Sequence, residues 1–289
     1  MTLSGDIDGV RYDTVHGLDV VVVETPTATA SISLFGGQVV SFVPADSTTD
    51  VIWLSPQVAS PPTPIRGGVP LCWPYFAREG QPDDAPSHGY ARTAIWEMTG
   101  GRTTDSGDVE LTLAPRQIEK VTLEVQLSVR VGDALEQHLR THNPASETVT
   151  MTEAFHNYLR VADVGSVRVA GLGGLTYLDK FDDMRTHTQH SDWVLPADDP
   201  RSDRIYPGAG GEYRLIDPVL QRAIDVTVHG GQSAVVWNPG EHGAADMADV
   251  GPHWREFVCV EAANAGPDVI DVPAGGTHTL TQTISVAPL

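Results

Sequence analysis

Positive charge is scarce in this chain of 289 residues. Lysine and arginine number 18 against 38 aspartates and glutamates, the formal net charge is -20, and the only lysines are Lys120 and Lys180. Nucleic-acid binding depends on basic side chains that neutralise phosphates, so this balance excludes a nucleic-acid-binding protein. The same balance argues against adsorption to an anionic membrane surface.

Long hydrophobic runs and paired cysteines are also missing. No run of about 18 apolar residues occurs, so the sequence predicts no transmembrane helix. The first residues, MTLSGDIDGVRYD, lack the basic and apolar regions of a signal peptide. Cys72 and Cys259 are too few for a disulfide framework and lie in apolar stretches, so we expect reduced thiols in the core. Together these features predict a cytoplasmic protein.

Alternation of apolar and polar residues is abundant. From residue 121 to 131 the odd positions are all valine or leucine and the even positions are all polar, and residues 279–286 alternate in a similar way. Turn signals such as Gly36-Gly37, Gly100-Gly101 and Gly230-Gly231 separate the candidate strands. This pattern predicts an all-β fold, a large antiparallel sandwich forming one domain over 1–289. Helical periodicity is confined to a short turn within Glu241–Asp249.

Motifs for nucleotides, metals and an esterase-type nucleophile do not occur. The sequence has no Walker A motif, no GxGxxG and no GxSxG. His138 and His142 are spaced as in a zinc-binding helix, but in a strand their side chains would stand about 13 Å apart, too far to share a metal. We therefore expect neither a metal nor an organic cofactor.

Four segments are unusually dense in glycine, aromatic and titratable residues. They are PIRGGVPLCWPYF at 64–76, SHGYAR at 87–92, EAFHNYL at 153–159 and WREFVCVE at 254–261. In a strand, His156 and Tyr158 would share one face. The apolar run before Glu261 predicts a central strand that ends at this carboxylate, which is paired, functional or emerging into solvent.

Each of these segments alone is explained well by ordinary turn, core and surface residues. Considered together, however, a histidine and a glutamate in an apolar, aromatic cleft are the minimum for general acid–base catalysis.

These segments, in this order and joined by GLGGLTYLDK, SDRIY, VVWNP and FVCVEAAN, resemble the aldose 1-epimerase (galactose mutarotase-like) superfamily. The resemblance is greatest to its hexose-6-phosphate mutarotase branch and covers about residues 25–285. It implies a β-supersandwich fold and an isomerase that interconverts the α and β anomers of a hexose 6-phosphate. The implied partner is a small phosphosugar, and the chemistry needs no cofactor.

The resemblance also implies roles for individual residues. His156 would be the general acid, as an imidazolium, and Glu261 the general base, as a carboxylate. The residues expected to bind the substrate are Arg66 and Arg92 for the phosphate, with His88, Asp203, Ser87 and Trp73. Ser87 stands where the branch commonly has glutamine. The lysine that the family often carries after VVWNP is absent, because that segment is GEHGAA.

Three other functions fit the same residues. A free-sugar aldose 1-epimerase would not need Arg66 and Arg92 in the cleft. A non-catalytic carbohydrate-binding sandwich would not need His156 and Glu261 to face each other. An isomerase acting at another carbon would use the same acid–base pair. The high charge of the chain favours a monomer.

Overall fold

Antiparallel strands form almost all of the regular structure. The computed structural model describes residues 7–78 and 80–289. The strands are β1 Val10–Val15, β2 Leu18–Glu24, β3 Ala28–Ser33, β4 Val39–Pro44, β5 Leu71–Cys72, β6 Trp96–Thr103, β7 Val109–Pro115, β8 Glu124–Val131, β9 Leu135–His142, β10 Val149–Met151, β11 Glu153–Phe155, β12 Tyr158–Arg160, β13 Arg168–Ala170, β14 Thr176–Asp179, β15 Arg185–Thr188, β16 Ser202–Pro207, β17 Glu212–Asp217, β18 Arg222–His229, β19 Ser233–Asn238, β20 Phe257–Asn264, β21 Ile270–Val272 and β22 Thr277–Pro288. The helical segments are α1 Gly240–Ala245 and the 3₁₀ helices Ala91–Thr93, Val164–Ser166, Lys180–Asp182 and Gly251–Glu256.

Two large sheets form the body of the molecule. The first has the order β15-β14-β16-β19-β20-β11-β5, with β12 also paired to β20, and the second has the order β13-β17-β18-β22-β9-β8-β7-β6. A four-stranded sheet, β1-β2-β3-β4, and the pair β10-β21 complete the fold. Neighbouring strands in all of these sheets run antiparallel, which confirms the prediction of an all-β antiparallel architecture.

The alternating sequences lie where one sheet face is buried and the other is solvated. In β8 the odd positions from Val125 to Val131 are buried, although the strand begins at Glu124 rather than at Val121. The short helix covers Gly240–Ala245, close to the predicted turn. The prediction that a strand ends at Glu261 was wrong. β20 continues to Asn264 and is buried at every position, because it lies inside its sheet between β19 and β11.

One hydrophobic core connects the sheets. It includes Val21 from the four-stranded sheet, Phe257 from the first large sheet and Leu127 and Ile284 from the second. This shared core supports the single domain predicted over 1–289, which stays a prediction. Among the described residues, no helix has the length and apolar character needed to span a membrane.

A chain of buried amides crosses the core between the two large sheets. Gln137 on β9, Gln282 on β22 and Asn157, which lies between β11 and β12, are all fully buried. The Gln282 amide donates to Gln137 Oε1 and to Asn157 Oδ1, both at 2.9 Å. In return, the Asn157 amide donates to Gln282 Oε1 at 2.8 Å and to the Val260 carbonyl at 2.9 Å. The second sheet therefore holds the residue that follows His156.

Replacing Gln282 by methionine is expected to lower the free energy of unfolding by about 2–4 kcal/mol. The change keeps the side-chain length but leaves the buried amides of Asn157 and Gln137 short of partners, and each unsatisfied group costs about 1–3 kcal/mol. Urea unfolding of the purified protein measures the loss. Gln126→Met is the matched control, because Gln126 is exposed on β8 and its replacement should change stability by less than about 0.5 kcal/mol. Equal stability of the two variants would contradict a structural role for the amide chain.

Candidate functional site

Strand register places His156 opposite Glu261. Phe155 pairs with Ala262 and Tyr158 pairs with Cys259. The register therefore runs unbroken past residues 156 and 157, which interrupt the strand. His156 Nε2 lies 3.6 Å from Glu261 Oε1, and both side chains are almost completely buried. Cross-strand neighbours on one face stand close together in any antiparallel pair, so the backbone alone brings these two groups together.

Aromatic rings surround the imidazole of His156. The Tyr158 ring stacks on it at 4.9 Å between centroids with an interplanar angle of 9°. This contact confirms that His156 and Tyr158 share one face. Trp237 on β19 meets the imidazole edge-on at 5.9 Å. We call the sheet face that carries His156, Glu261, Tyr158 and Trp237 the site face.

The turn that contains His88 is fixed by its backbone. His88 has a φ of 64° and Gly89 a φ of 69°, and a Cβ on Gly89 would lie 2.2 Å from the Trp73 carbonyl oxygen. Only glycine fits that approach. His88 Nδ1 accepts a hydrogen bond from the Ala77 N–H at 3.3 Å and lies 3.1 Å from Cys72 Sγ. A neutral His88 therefore carries its proton on Nε2, and its ring lies 5.6 Å from that of His156.

Arg66 and Arg92 lie on the same side of the site as His156. Arg66 Nε donates to Asp249 Oδ2 at 3.0 Å, and its Nη1 donates to the Tyr158 hydroxyl at 3.1 Å. Arg92 Nη2 donates to the Ser87 carbonyl at 2.8 Å, while its buried Nε has no hydrogen-bond partner in the described part of the chain. The positive charges of both arginines lower the pKa of His156, so both act electrostatically on the site.

Asp203 lies at the other side of the site face. It is opposite Trp237 in the pairing of β16 with β19, and Trp237 is in turn opposite Cys259. Lys180, which follows β14, places Nζ 3.5 Å from Asp203 Oδ1 and 5.0 Å from the centre of the Phe76 ring. β16 and β12 are three strand spacings apart, or about 14 Å. Lys180 and Arg66 therefore serve opposite ends of the site.

Two sequence-predicted residues have a different position from the one expected. The Trp73 ring is fully buried in the core and its Nε1 donates to Thr141 Oγ1 at 2.9 Å, so the structure does not place it with the other site residues. Ser87 is partly exposed, and its contribution to the local structure is the carbonyl that anchors Arg92. The other predicted residues, which are Arg66, His88, Arg92, His156, Asp203 and Glu261, are brought together.

Two side chains of the site were missed as candidates. Trp237 supplies an aromatic ring beside His156, and Lys180 supplies a cation although the segment after VVWNP has none. Both belong to strings that resemble the family, VVWNP and GLGGLTYLDK, and this was the available signal. Their proximity to Glu261 follows from pairing between β14, β16, β19 and β20, which sequence spacing does not reveal.

Burial pushes the acid–base pair toward its uncharged forms. The pKa of His156 lies well below its ordinary value, first because of burial and then because of His88, Arg66 and Arg92. The pKa of Glu261 lies well above its ordinary value because of burial, with the charge of Asp203 adding to the rise and that of Lys180 opposing it. The free protein thus differs from the expected pair of imidazolium and carboxylate.

Each member of the pair also keeps a polar atom unsatisfied. His156 Nδ1 and Glu261 Oε2 are buried and have no hydrogen-bond partner among the described residues. Unsatisfied buried atoms cost free energy, and hydroxyl groups of a ligand would satisfy them. In the described part of the chain, no group of three or more His, Cys, Asp or Glu side chains is arranged to hold a metal ion.

Replacing Glu261 by glutamine is expected to stabilise the protein at neutral pH. Since the folded-state pKa of Glu261 lies above its unfolded value, the folded wild type binds this proton more tightly and loses stability as pH rises from about 4.5 through the folded pKa. Glutamine has a similar shape and no such proton to lose. The advantage of the variant should therefore be small near pH 4 and grow toward pH 8, as measured by urea unfolding.

Glu256→Gln is the control of opposite sign. Burial raises the pKa of Glu256, but hydrogen bonds from His253 and Trp53 outweigh this effect and lower it. Its carboxylate therefore stabilises the fold above about pH 4.5, and its replacement should destabilise the protein at neutral pH. If Glu261→Gln also destabilised the protein more at pH 8 than at pH 4, the burial argument for Glu261 would be wrong.

Comparisons with known proteins identify the family of this chain. The family model described as Aldose 1-epimerase matches residues 19–285. A relative from Salmonella typhimurium, provisionally named glucose-6-phosphate 1-epimerase, is 32% identical over 281 residues, covering 93% of this chain and 91% of the relative. The crystal structure of a provisionally named mutarotase from Salmonella typhimurium matches with a TM-score of 0.88 at 29% identity, covering 99% of this chain and 96% of that chain.

A more distant structure shows the fold alone. It comes from Escherichia coli K12, is provisionally named an aldose 1-epimerase, and matches with a TM-score of 0.71 at 15% identity over 94% of this chain and 100% of that chain. Together with the family model and the relative at 32% identity, the geometry leads to one conclusion: this chain belongs to the aldose 1-epimerase family.

Proposed function

We propose that this protein interconverts the α and β anomers of a hexose 6-phosphate, with glucose 6-phosphate as the expected substrate. The observation that carries the proposal is that His156 Nε2 and Glu261 Oε1 face each other at 3.6 Å. A carbohydrate-binding sandwich without catalytic activity has no need for a buried acid and base at this separation. The family to which the chain belongs and the provisional name of the Salmonella relative support the same reaction.

The proposed reaction moves two protons at one carbon. Glu261 as a carboxylate takes the proton of the C1 hydroxyl, and His156 as an imidazolium gives a proton to the ring oxygen. The bond from C1 to the ring oxygen breaks, the aldehyde forms, C1 rotates, and the reverse transfers close the ring. Both oxygens are bonded to C1, so an acid and a base only a few ångströms apart can reach them together.

The reaction requires that His156 and Glu261 together hold one transferable proton. The uncharged pair and the imidazolium–carboxylate pair hold the same number of protons, so the reactive form arises by moving one proton from Glu261 to His156. Their separation of 3.6 Å makes this transfer short, directly or through a substrate hydroxyl. The substrate therefore changes which proton distribution is favoured without changing the charge of the pair.

The two arginines support a phosphorylated rather than a free sugar. A chain of net charge -20 repels anions at long range, so a phosphate needs local guanidinium groups. Arg66 and Arg92 both act electrostatically on His156 and His88, which supports their assignment to the phosphate. Guanidinium groups bind phosphate oxygens through charge-assisted hydrogen bonds. An epimerase that acts on free sugars would not need these two positive charges at its site.

The remaining side chains are assigned to the sugar. Asp203, held by Lys180, is the acceptor for hydroxyl groups at the end of the site away from Arg66. His88 is neutral at physiological pH, because burial and the charges of Arg92, Lys180 and Arg66 lower its pKa to about 3, so its Nε2–H is available as a donor. Trp237 offers an apolar surface to the sugar ring beside His156.

Nuclear magnetic resonance exchange spectroscopy of the anomeric protons tests the proposal. Wild type is expected to accelerate exchange of glucose 6-phosphate far more than that of glucose. His156→Ala and Glu261→Gln should each lower kcat/KM by about 10²–10⁴-fold, as is usual when a positioned acid or base is removed. Arg66→Ala with Arg92→Ala should raise KM for the phosphate ester by about 10–100-fold, since charge-assisted hydrogen bonds contribute about 1.5–3 kcal/mol each.

Two variants serve as controls. His138 pairs with Glu136 on β9, far from the site face, and Glu256 is a half-exposed carboxylate, so His138→Ala and Glu256→Gln should keep full activity. Equal acceleration of both sugars with no effect of the arginine changes would make this a free-sugar epimerase. Bound sugar without any acceleration would leave a binding protein.

Lys180 is expected to act as a positioning residue for the sugar end of the site. Lys180→Met removes the ion-pair partner of Asp203 and the positive charge that lowers the pKa of Glu261. The pair should then lose its one shared proton only at a higher pH, so the alkaline limb of the kcat/KM pH profile should move to higher pH. At pH 7 the loss should be about fivefold, because a partly exposed charge pair contributes about 1 kcal/mol.

The second lysine of the chain is the matched control. Lys120 pairs with Asp84 at the surface at 3.0 Å, and Lys120→Met should leave the pH profile unchanged. Lys180→Arg, which keeps the charge, should restore most of the wild-type profile. If Lys180→Met and Lys120→Met have the same profile, Lys180 is not a positioning residue.

A further inference from the structure

Arg66 is linked to His156 through the side chain of Tyr158. Its Nη1 donates to the hydroxyl of Tyr158 at 3.1 Å, and the ring of Tyr158 stacks on the imidazole at 4.9 Å and 9°. Asp249 offsets part of its charge through the 3.0 Å ion pair with Nε. The guanidinium group therefore lies at the hydroxyl end of the ring that covers one face of the proposed catalytic acid.

Arg92 reaches the same imidazole from another direction. It donates to the carbonyl of Ser87, the residue before His88, and the His88 ring meets that of His156 at 5.6 Å. Among the described residues, no carboxylate lies within ion-pair distance of Arg92. Among the residues that the structure describes, its positive charge thus has no ion-pair partner.

These two charges oppose the protonation of His156. Burial is the largest cause of its lowered pKa, followed by His88, Arg66 and Arg92. His88 has a pKa of about 3 and carries no charge at neutral pH. At neutral pH the charges that lower the pKa of His156 are therefore those of the two arginines. A bound anion can cancel this effect, whereas it cannot cancel the effect of burial.

The other titratable and charged groups near His156 come from several elements. They are Glu261 and Cys259 from β20, Tyr158 from β12, Cys72 from β5, His88 from its turn, Asp203 from β16 and Lys180 from the helix after β14. Cys72, Cys259 and Tyr158 all have raised pKa values because of burial and stay neutral. Glu261 responds to Lys180 and Asp203, not to the arginines. An anion on the arginines therefore acts on both histidines, but because the pKa of His88 is about 3, the protonation that changes near neutral pH is that of His156.

We propose that a dianionic oxyanion bound by Arg66 and Arg92 activates His156 as the acid, in addition to anchoring the substrate. The proposal rests on the proposed function and deepens it. The phosphate of the substrate would neutralise the two guanidinium charges, and the imidazole would take up the proton of Glu261, which leaves Glu261 as the carboxylate base. Phosphorylated sugars would then be favoured in kcat as well as in KM. A free oxyanion, such as sulfate or phosphite, would produce the same activation when the sugar has no phosphate.

The test measures exchange between the anomers of unphosphorylated glucose with and without sulfate at pH 7.5, with chloride at equal ionic strength as reference. Exchange in sulfate without enzyme is subtracted, because oxyanions catalyse mutarotation themselves. Sulfate is expected to raise the enzymatic rate about three- to tenfold, since a rise of one in the pKa of a mostly neutral imidazole increases its protonated fraction about tenfold. An unchanged or lowered rate would overturn the proposal.

Charge variants of Arg92 separate activation from simple binding. Arg92→Gln removes one of the opposing charges, so its rate on glucose without sulfate should exceed that of wild type, and its response to sulfate should shrink. Arg92→Lys keeps the charge and should keep the response. A group that only anchored phosphate would give no gain with glucose upon removal, so a rate for Arg92→Gln at or below that of wild type would contradict the proposal.

A direct measurement keeps this proposal distinct from the proposed function. The imidazole resonances of His156, assigned by comparison with His156→Gln, report its pKa whether or not the protein is an active epimerase. Sulfate should raise this pKa in wild type and raise it less in Arg92→Gln. If glucose 6-phosphate exchange is accelerated but the His156 pKa does not respond to sulfate, the proposed function stands and the activation proposal fails. If the His156 pKa responds to sulfate but no sugar is turned over, the effect of the anion on His156 stands and the proposed function fails.

Discussion

The antiparallel pairing of β20 with β11 and β12 is the constraint on which the rest of the site depends. The register carries through the interruption at residues 156 and 157, so His156 stands opposite Glu261 in a sheet whose central strand is buried along its whole length. A shift by one residue would turn either side chain to the other face. The buried amides of Asn157 and Gln282 oppose such a shift, because Asn157 is bonded to both the Val260 carbonyl and the second sheet.

Strand register brings His156 and Glu261 close together, and burial changes the pKa of each. Burial favours the uncharged forms of both groups, and the surrounding charges then alter how readily a proton moves from Glu261 to His156. The electric field at His156 and the field at Glu261 come from different charged residues. Arg66 and Arg92 act on His156, whereas Lys180 acts on Glu261 from the opposite end of the site face.

This distribution also explains how an acidic protein can hold an anionic ligand. With 18 basic residues against 38 acidic ones, the overall field is repulsive. Most arginines, such as Arg102 and Arg130, are in ion pairs with carboxylates at the surface. In the part of the chain that the structure describes, Arg92 has no carboxylate partner, because its turn, fixed by Gly89 against the Trp73 carbonyl, directs it inward and bonds it to a neutral carbonyl group. Local backbone geometry therefore creates a positive region that composition alone would not suggest.

The sequence by itself determined the β class and the buried faces of strands such as β8 and β22, and its strings that resemble the aldose 1-epimerase family indicated the proposed acid, the proposed base and both arginines. These features follow from alternation along single strands and from short strings of neighbouring residues, which are local properties. Only the tertiary structure decided that Trp237 rather than Trp73 lies beside His156, that Lys180 holds Asp203, and that β20 continues past Glu261. It also decided the protonation of the pair. Those properties arise where β14, β16, β19, β20 and β12 come together from distant parts of the chain, and burial and electric field depend on all of them at once.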